Sequence, residues 1–199
     1  SYGDYKFNLI KEYSSEIKIF VPISVFGGKI DFTLFAIWAN NPQDKNNQYV
    51  EQVWKGINFY ENLLNNEKVI LIGDFNSNKI WDVWDRWWNH SDVVRELGDA
   101  KMKSLYHLAT GEEQGVESVP TFFHHRNLKK AYHIDFAFAS EGMFDPQSDA
   151  VEIGNQNRWL ELSDHMPVTF TISCQPTSAS PCYRVKNNGD TTQQLHGRR

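Results

Sequence analysis

The stretch Leu71-Ile72-Gly73-Asp74-Phe75-Asn76-Ser77 says most about how this chain folds. The apolar run that begins at Val69 predicts a short buried strand, and the glycine after it predicts a turn. Such a strand would carry Asp74 and Asn76 to its C-terminal end, side by side over a cleft. A Gly-Asp pair after a strand is more often a plain turn than a ligand, so this stretch alone leaves both interpretations open.

Two further motifs lie downstream, and each stands beside a predicted strand. The segment Tyr132-His133-Ile134-Asp135-Phe136 places a carboxylate among apolar residues, and Ser163-Asp164-His165-Met166-Pro167 places a carboxylate and an imidazole before a strand. Each motif alone would indicate a cap, a turn or a structural histidine. Three such motifs in one chain favour a shared site with hard-metal chemistry on a phosphate.

The residue types indicate how such a site would work. Mg²⁺, Mn²⁺ and Ca²⁺ prefer oxygen ligands, and Asp74, Asn76, Asp135 and Asp164 offer oxygens from loops at strand ends. We expect Mg²⁺ or Mn²⁺, with Ca²⁺ as an alternative, to polarise the phosphoryl oxygen. Asp74 and Asn76 would orient and deprotonate the attacking water. Asp135 would orient His165 and raise its pKa, so that His165 could donate a proton or balance charge.

The remaining histidines and the cysteines show no comparable pattern. His90, His107 and the pair His124-His125 have no evident partner motif, and a zinc site is not favoured because the sequence has no paired cysteines or histidines at metal-binding spacing.

The composition is that of one globular domain. The chain has 199 residues, of which 40% are hydrophobic, enough for a sizeable core. Its formal net charge of −5 argues against a protein that holds long nucleic acid by charge alone. No apolar run approaches the ~18 residues that a membrane helix needs, so no membrane partner is expected.

The periodicity predicts a sheet covered by a helix. A helix is expected over 48–64, because its apolar residues recur at three- and four-residue steps. Strands are expected on alternation or on β-prone apolar runs at 5–10, 17–24, 30–39, 69–72, 151–153 and 168–172. Further strands are expected to contain Phe122, Ile134, Phe136 and Phe138.

A tryptophan-rich stretch follows the Asp74 motif, with Trp81, Trp84, Trp87 and Trp88. Its spacing fits an amphipathic helix or two short turns. The favoured interpretation is that these rings belong to the core, and the alternative is a stacking wall beside the site. The next helix would begin at Ser91-Asp92 and run through Leu97.

The domain is expected to span 1–173 and to be followed by a disordered tail, 174–199, rich in Ser, Thr, Gln, Asn and Gly. Cys174 and Cys182 lie in that tail. Two unpaired thiols are favoured over a disulfide, which indicates a cytoplasmic location. Secretion stays open, because Ser1 is not an initiator methionine and the start of the protein looks absent.

The three motifs resemble those of the endonuclease/exonuclease/phosphatase superfamily, the DNase I-like proteins. Gly73-Asp74-Phe75-Asn76, His133-Ile134-Asp135-Phe136 and Ser163-Asp164-His165 carry the likeness, which covers about residues 5–173. The resemblance implies a four-layer α/β sandwich and metal-dependent cleavage of phosphate esters. It implies Asp74 and Asn76 at the water and phosphate, Asp164 as a metal ligand, and Asp135 paired with His165. The metal would then bind through Asp74, Asn76 and Asp164.

The chain also departs from the family's pattern. Where the family commonly has a His or Tyr that touches the phosphate after its middle strand, this chain has Trp38, and Asn41 is expected to keep the role of a following Asn. Trp38 and Asn41 are therefore candidate substrate-binding residues. The family's N-terminal Asn and Glu motifs are absent, so the domain resembles an N-terminally truncated one. A sheet without its first strands would expose an edge, and we expect a homodimer that completes it.

Three functions follow from these observations. The first is a divalent-metal-dependent phosphoesterase that uses direct water attack on small or activated phosphodiesters, and also on mono- or triesters. The second is a catalytically inactive fragment that folds and self-associates. The third is a nuclease that acts on DNA or RNA, which the net charge does not favour.

Overall fold

The computed structural model describes residues 3–40 and 49–173. Asn41, the predicted tail 174–199 and both cysteines lie outside the described residues. Within the described ranges, every helix is too short or too polar to cross a membrane.

The described residues form ten strands and five helices. The strands are β1 (Lys6–Leu9), β2 (Phe20–Phe26), β3 (Phe32–Trp38), β4 (Val69–Asp74), β5 (Met102–Ser104), β6 (Phe122–Phe123), β7 (Ala131–Tyr132), β8 (Asp135–Ser140), β9 (Ala150–Ile153) and β10 (Val168–Thr171). The helices are α1 (Val50–Phe59), α2 (Glu61–Leu64), α3 (His90–Asp99), α4 (Leu105–Thr110) and α5 (Gln156–Trp159), with short 3₁₀ turns at Lys79–Trp81 and His124–Arg126.

Six strands form the main sheet, in the order β1-β2-β3-β4-β8-β5. The pair β3 and β4 is parallel and is connected through α1 and α2. The neighbouring pairs β2–β3 and β4–β8 are antiparallel. Two smaller sheets pair β9 with β10 and β6 with β7. The end of β4 therefore lies at the centre of the main sheet, between the end of β3 and the start of β8.

Alternating side chains divide the core between the two faces of this sheet. One face carries Val69 and Leu71 of β4 with Phe136 and Phe138 of β8, and these pack against the apolar sides of α1 and α3. The other face carries Ile70 and Ile72 with Ala137 and Ala139, and these pack against β9, β10 and Leu105 of α4. Helices thus cover one face of the sheet and a second sheet covers the other.

The predicted elements are present with shifted boundaries. The helix expected over 48–64 is two helices, α1 and α2, which meet at Tyr60. The strand expected over 17–24 begins at Phe20, because Ile17 and Ile19 lie in turns while their side chains still pack on the core. The helix expected from Ser91 begins at His90.

The favoured prediction, that the tryptophan-rich stretch belongs to the core, is wrong. Trp84 is 97% exposed, Trp87 77% and Trp81 43%, and only Trp88 packs against the core. The stretch is a 3₁₀ turn followed by an irregular loop, so its three-residue spacing does not correspond to one helical face.

Candidate active site

Gly73 is required by the close approach of β3 and β4. Its φ is +147°, and a Cβ atom there would overlap the carbonyl oxygen of Ile37. A residue with a side chain would force the two strands apart. The glycine thereby sets the position of the next residue, Asp74, which ends β4.

Asp74 and Asn76 form a compact turn. The backbone N–H of Asn76 donates to Asp74 Oδ1 at 2.8 Å, and the Asn76 amide donates to the carbonyl oxygen of Ala39 at 3.1 Å. Asn76 has a φ of +47°, a conformation that asparagine tolerates better than most residues. The turn therefore holds both side chains against the end of β3.

Register places three side chains at neighbouring positions of the sheet. Asp74 is the partner of Trp38 on β3 and of Asp135 on β8. Partner residues on adjacent strands point to the same face. Trp38 is 66% exposed, so its ring lies open to solvent next to the two carboxylates.

His165 reaches this edge from the segment before β10. Its Nδ1 lies 3.0 Å from Asp135 Oδ2 and 3.2 Å from Oδ1. Its ring contacts Phe122 at a centroid distance of 4.6 Å. The carbonyl oxygen of the preceding Asp164 accepts from Phe123 N–H at 2.8 Å, which fixes the backbone beside the imidazole.

Thr121, which no sequence motif marks, is fully buried behind this pair. Its hydroxyl oxygen accepts from the backbone N–H of Ile134 at 3.0 Å and of Asp135 at 3.1 Å. Its carbonyl oxygen accepts from Met166 N–H at 2.7 Å. One residue thus ties the segment that carries Asp135 to the segment that carries His165.

Asn78 provides a second buried anchor. Its amide donates to Glu117 Oε2 and to the carbonyl oxygen of His133, both at 2.9 Å. Burial raises the pKa of the Glu117 carboxyl, but hydrogen bonds from His107, Asn78 and Gly115 outweigh it and hold the pKa at about 2. The Asn78 amide therefore ties the loop after β4 directly to the segment before β8, and the ionised Glu117 carboxylate holds that amide in position.

Two of the histidines without a sequence pattern, His90 and His107, have structural partners. His107 Nε2 lies 3.1 Å from Glu117, and His90 lies between Ser77 at 2.9 Å and Gln114 at 3.0 Å. Burial lowers the pKa of both His90 and His133, so these two rings are neutral near pH 7.

Three of the predicted groups converge. Ligand atoms of Asp74, Asp135 and His165 all lie within 4.8 Å of one another. Burial, and next the negative charge of Asp135, raise the pKa of Asp74 to about 6. The hydrogen bond to Asp135 raises the pKa of His165. Because His165 Nδ1 is hydrogen-bonded to Asp135, Asp74 is left as the carboxylate best placed for a cation.

The other predicted site residues are not part of this group of three. Asp164 is not one of the three converging groups, although its charge contributes to the raised pKa of His165. Asn76 lies beside Asp74, and Trp38 lies at the same edge of the sheet. The donor set of carboxylate and amide oxygens fits a hard divalent cation.

The arrangement can perform proton transfer. It combines a carboxylate with a raised pKa, an imidazole whose protonated form is favoured, and an exposed edge at which a substrate can approach. A carboxylate with a pKa of about 6 can accept a proton from water, and a protonated imidazole can donate one.

Comparisons with known proteins place the fold. No protein-family model matches the sequence. Curated proteins give no match either. Solved structures do match, among them the endonuclease domain of TRAS1, a telomere-specific non-LTR retrotransposon, with 18% identity and a TM-score of 0.53 over 85% of this chain and 67% of that chain.

Two other matches have the same fold. The 3'-5' exonuclease NExo from Neisseria meningitidis is 18% identical, with a TM-score of 0.54 over 85% of this chain and 70% of that chain. Truncated TDP2 from Caenorhabditis elegans is 14% identical, with a TM-score of 0.53 over 84% of this chain and 65% of that chain. The chain thus has the α/β fold of the endonuclease/exonuclease/phosphatase proteins, which confirms the predicted DNase I-like class, and it spans about two thirds of these chains' lengths.

Proposed function

We propose that this protein is a divalent-metal-dependent phosphoesterase of the endonuclease/exonuclease/phosphatase family. The observation that carries the proposal is the convergence of Asp74, Asp135 and His165 within 4.8 Å at one edge of the sheet. The solved structures of similar fold support the reaction class, because they include an endonuclease domain and an exonuclease.

Each group has a role in attack of water on phosphorus. Asp74 accepts a proton from the water, and Asn76 orients that water or a phosphate oxygen through its side-chain amide. His165, held by Asp135, is protonated and stabilises the charge that develops on the phosphoryl oxygens or donates to the leaving group. A Mg²⁺ or Mn²⁺ ion held by Asp74, Asn76 and Asp164 would act as a Lewis acid on the phosphoryl group.

The raised pKa of Asp74 supports a cation at this place. A partly buried carboxylate next to a second carboxylate binds a proton more tightly than usual, and a divalent ion that takes the proton's place relieves the same repulsion. Below about pH 6, where Asp74 carries a proton, we expect binding of the ion to displace that proton into solvent.

The test is hydrolysis of bis(p-nitrophenyl) phosphate with Mn²⁺ or Mg²⁺, with and without EDTA. We expect the rate to fall at least 100-fold in EDTA, in Asp74→Ala and in Asp164→Ala. Asp85→Ala, which removes an exposed carboxylate from the loop after β4, is the matched control and should keep the rate. No hydrolysis by the wild-type protein under any metal would favour the alternative of a folded but inactive fragment.

A homodimer is the second part of the proposal. Every residue of the edge strand β1 is exposed, with Phe7 at 50% and Leu9 at 56%. An exposed edge with apolar side chains is suited to pairing with another strand. Size-exclusion chromatography with light scattering should give twice the mass of 23.1 kDa, and a monomer at 100 μM would refute the dimer.

A further inference from the structure

A pocket of about 330 Å³ opens directly beside Asn76. Its volume lies in the usual range of small-molecule sites. The wall comes from the start of α1, the turn after β4 and the tryptophan-rich loop, and includes Tyr49, Asn76, Trp81, Arg86 and Trp88. A group attached to a phosphate at Asp74 and Asn76 would therefore have this pocket within reach.

The aromatic rings of Tyr49, Trp81 and Trp88 line part of the pocket, and contacts hold two of them in place. The Trp81 ring contacts Tyr132 at a centroid distance of 4.9 Å. The guanidinium of Arg86 lies 4.5 Å from the centre of the Trp88 ring. Trp81 is nevertheless 43% exposed, which leaves part of its surface open to a ligand. Flat, immobilised rings with an open face are suited to stacking on another planar ring.

The loop that carries these rings is rigid because Asn89 is buried at its centre. The Asn89 side chain accepts from Val83 N–H at 3.0 Å and from Arg86 Nε at 2.8 Å, and it donates to the carbonyl oxygens of both residues. Asp82 accepts from the N–H groups of His90 and Ser91 at the start of α3. The walls are thus formed before any ligand arrives.

Most polar side chains of the pocket already have partners within the protein. Ser77 bonds to His90, Asn78 bonds to Glu117, and Arg86 bonds to Asn89 and to the carbonyl oxygen of Trp81. A bound ring would therefore meet aromatic surfaces and few free hydrogen-bonding groups. Recognition by stacking with few hydrogen bonds accepts any base.

We propose that this pocket binds a nucleobase of the substrate, with little preference among bases, so that the phosphoester cleaved is a nucleotide or a short single strand. This inference rests on the proposed function, because it takes the phosphate to lie at Asp74 and Asn76. The net charge of −5 agrees with a short ligand, since a long strand needs a basic face. The negative net charge would also repel an anionic membrane surface, as would Asp82 and Asp85 in the tryptophan-rich loop.

The test compares two fluorescent oligomers of eight nucleotides, measured by fluorescence anisotropy in EDTA at low salt. One is oligo-dT, and the other has the same backbone with all bases removed. Both carry the same phosphates, so the charge of the protein acts equally on both. We expect the wild-type protein to bind oligo-dT about tenfold more tightly, the effect of one stacked base, equal to about 1.4 kcal/mol.

The variants identify the surface. Trp81→Ala should abolish the difference between the oligomers, and Trp81→Phe, which keeps a ring, should restore most of it. Trp84→Ala is the matched control, because Trp84 is 97% exposed in the same loop and does not line the pocket. It should change the affinity for oligo-dT less than twofold.

Several outcomes overturn the inference. Equal affinity for the two oligomers, no binding of either, or a base-dependent affinity that survives Trp81→Ala would each do so. Binding to phosphatidylcholine vesicles that Trp81→Ala removes, without any base dependence, would assign the pocket to a lipid instead. The binding measurement needs no catalysis, so the two proposals are tested independently. A negative binding result does not contradict hydrolysis of bis(p-nitrophenyl) phosphate, and a lack of that hydrolysis does not contradict base-dependent binding.

Discussion

Replacing Asp74 by asparagine should stabilise the metal-free protein at pH 8 while removing its activity. Burial and the charge of Asp135 raise the pKa of Asp74 from its ordinary 3.8 to about 6, so the ionised carboxylate is unfavourable in the folded state. Asparagine occupies the same volume, carries no charge and can still accept the hydrogen bond from Asn76 N–H.

The size of this gain in stability and its dependence on pH follow from the linkage between protonation and folding. A folded pKa above the unfolded one contributes stability that is complete below pH 3.8 and is lost as the pH rises through about 6. The full difference corresponds to about 3 kcal/mol at 1.36 kcal/mol per pKa unit. Asp74 is only partly buried, so screening by solvent reduces this, and we expect about 1–2 kcal/mol.

Urea denaturation in EDTA at pH 4.5 and at pH 8 measures the effect. The gain in the free energy of unfolding for Asp74→Asn should be largest at pH 8 and should shrink towards pH 4.5. Asp85→Asn, at an exposed carboxylate, is the control and should show no such trend. Mn²⁺ at 100 times its Kd should stabilise the wild-type protein by about 2.7 kcal/mol, and Asp74→Asn by less. An Asp74→Asn protein that is less stable than wild type at both pH values would refute the reasoning.

Three further predictions concern the groups that shape the site. Gly73→Ala should lower the free energy of unfolding by about 3 kcal/mol or more, because its methyl group would overlap a backbone oxygen. Gly98→Ala in α3, where nothing lies within 4 Å, should raise it by up to ~1 kcal/mol; similar urea midpoints for the two would contradict this. Asp135→Asn should lower the pKa of His165, measured by NMR titration of the ring protons, and an unchanged titration would show that the pair is not formed. Thr121→Val leaves two buried N–H groups without an acceptor and should cost about 2–4 kcal/mol, whereas Thr121→Ser should cost less than half of that in thermal and urea denaturation.

The convergence of the motifs could be predicted because each one ends or precedes an apolar run. Asp74 follows the buried residues of β4, and Asp135 begins β8, so pairing of the two strands brings both carboxylates to one edge. The pattern of apolar residues sets strand positions and faces, which is enough to place residues at strand ends. It does not set loop conformations, and the prediction of a cation ligand at Asp164 stays untested.

The supporting groups could not be predicted in the same way. Thr121 meets Asp135 across 14 residues, and Asn78 meets Glu117 across 39, with no periodicity to mark either pair. The prediction for the tryptophan-rich loop was wrong for a related reason. Its three-residue spacing matches a helix, but Asn89 bonds to the loop backbone and favours an irregular turn that exposes Trp84.

The cost of assembling the site explains why these hidden groups are needed. Asp74 and Asp135 repel each other, and the ladder between β4 and β8 holds them at partner positions. Two anchors tie down the chain beside that ladder, Thr121 at Asp135 and Asn78 at the turn after β4. A site built only from exposed loops would relax until the carboxylates separated. It would then lose the position at which binding of a cation or a proton is most favourable. Because the anchors are neutral donors and acceptors away from the reacting edge, they hold the geometry without competing for the phosphate.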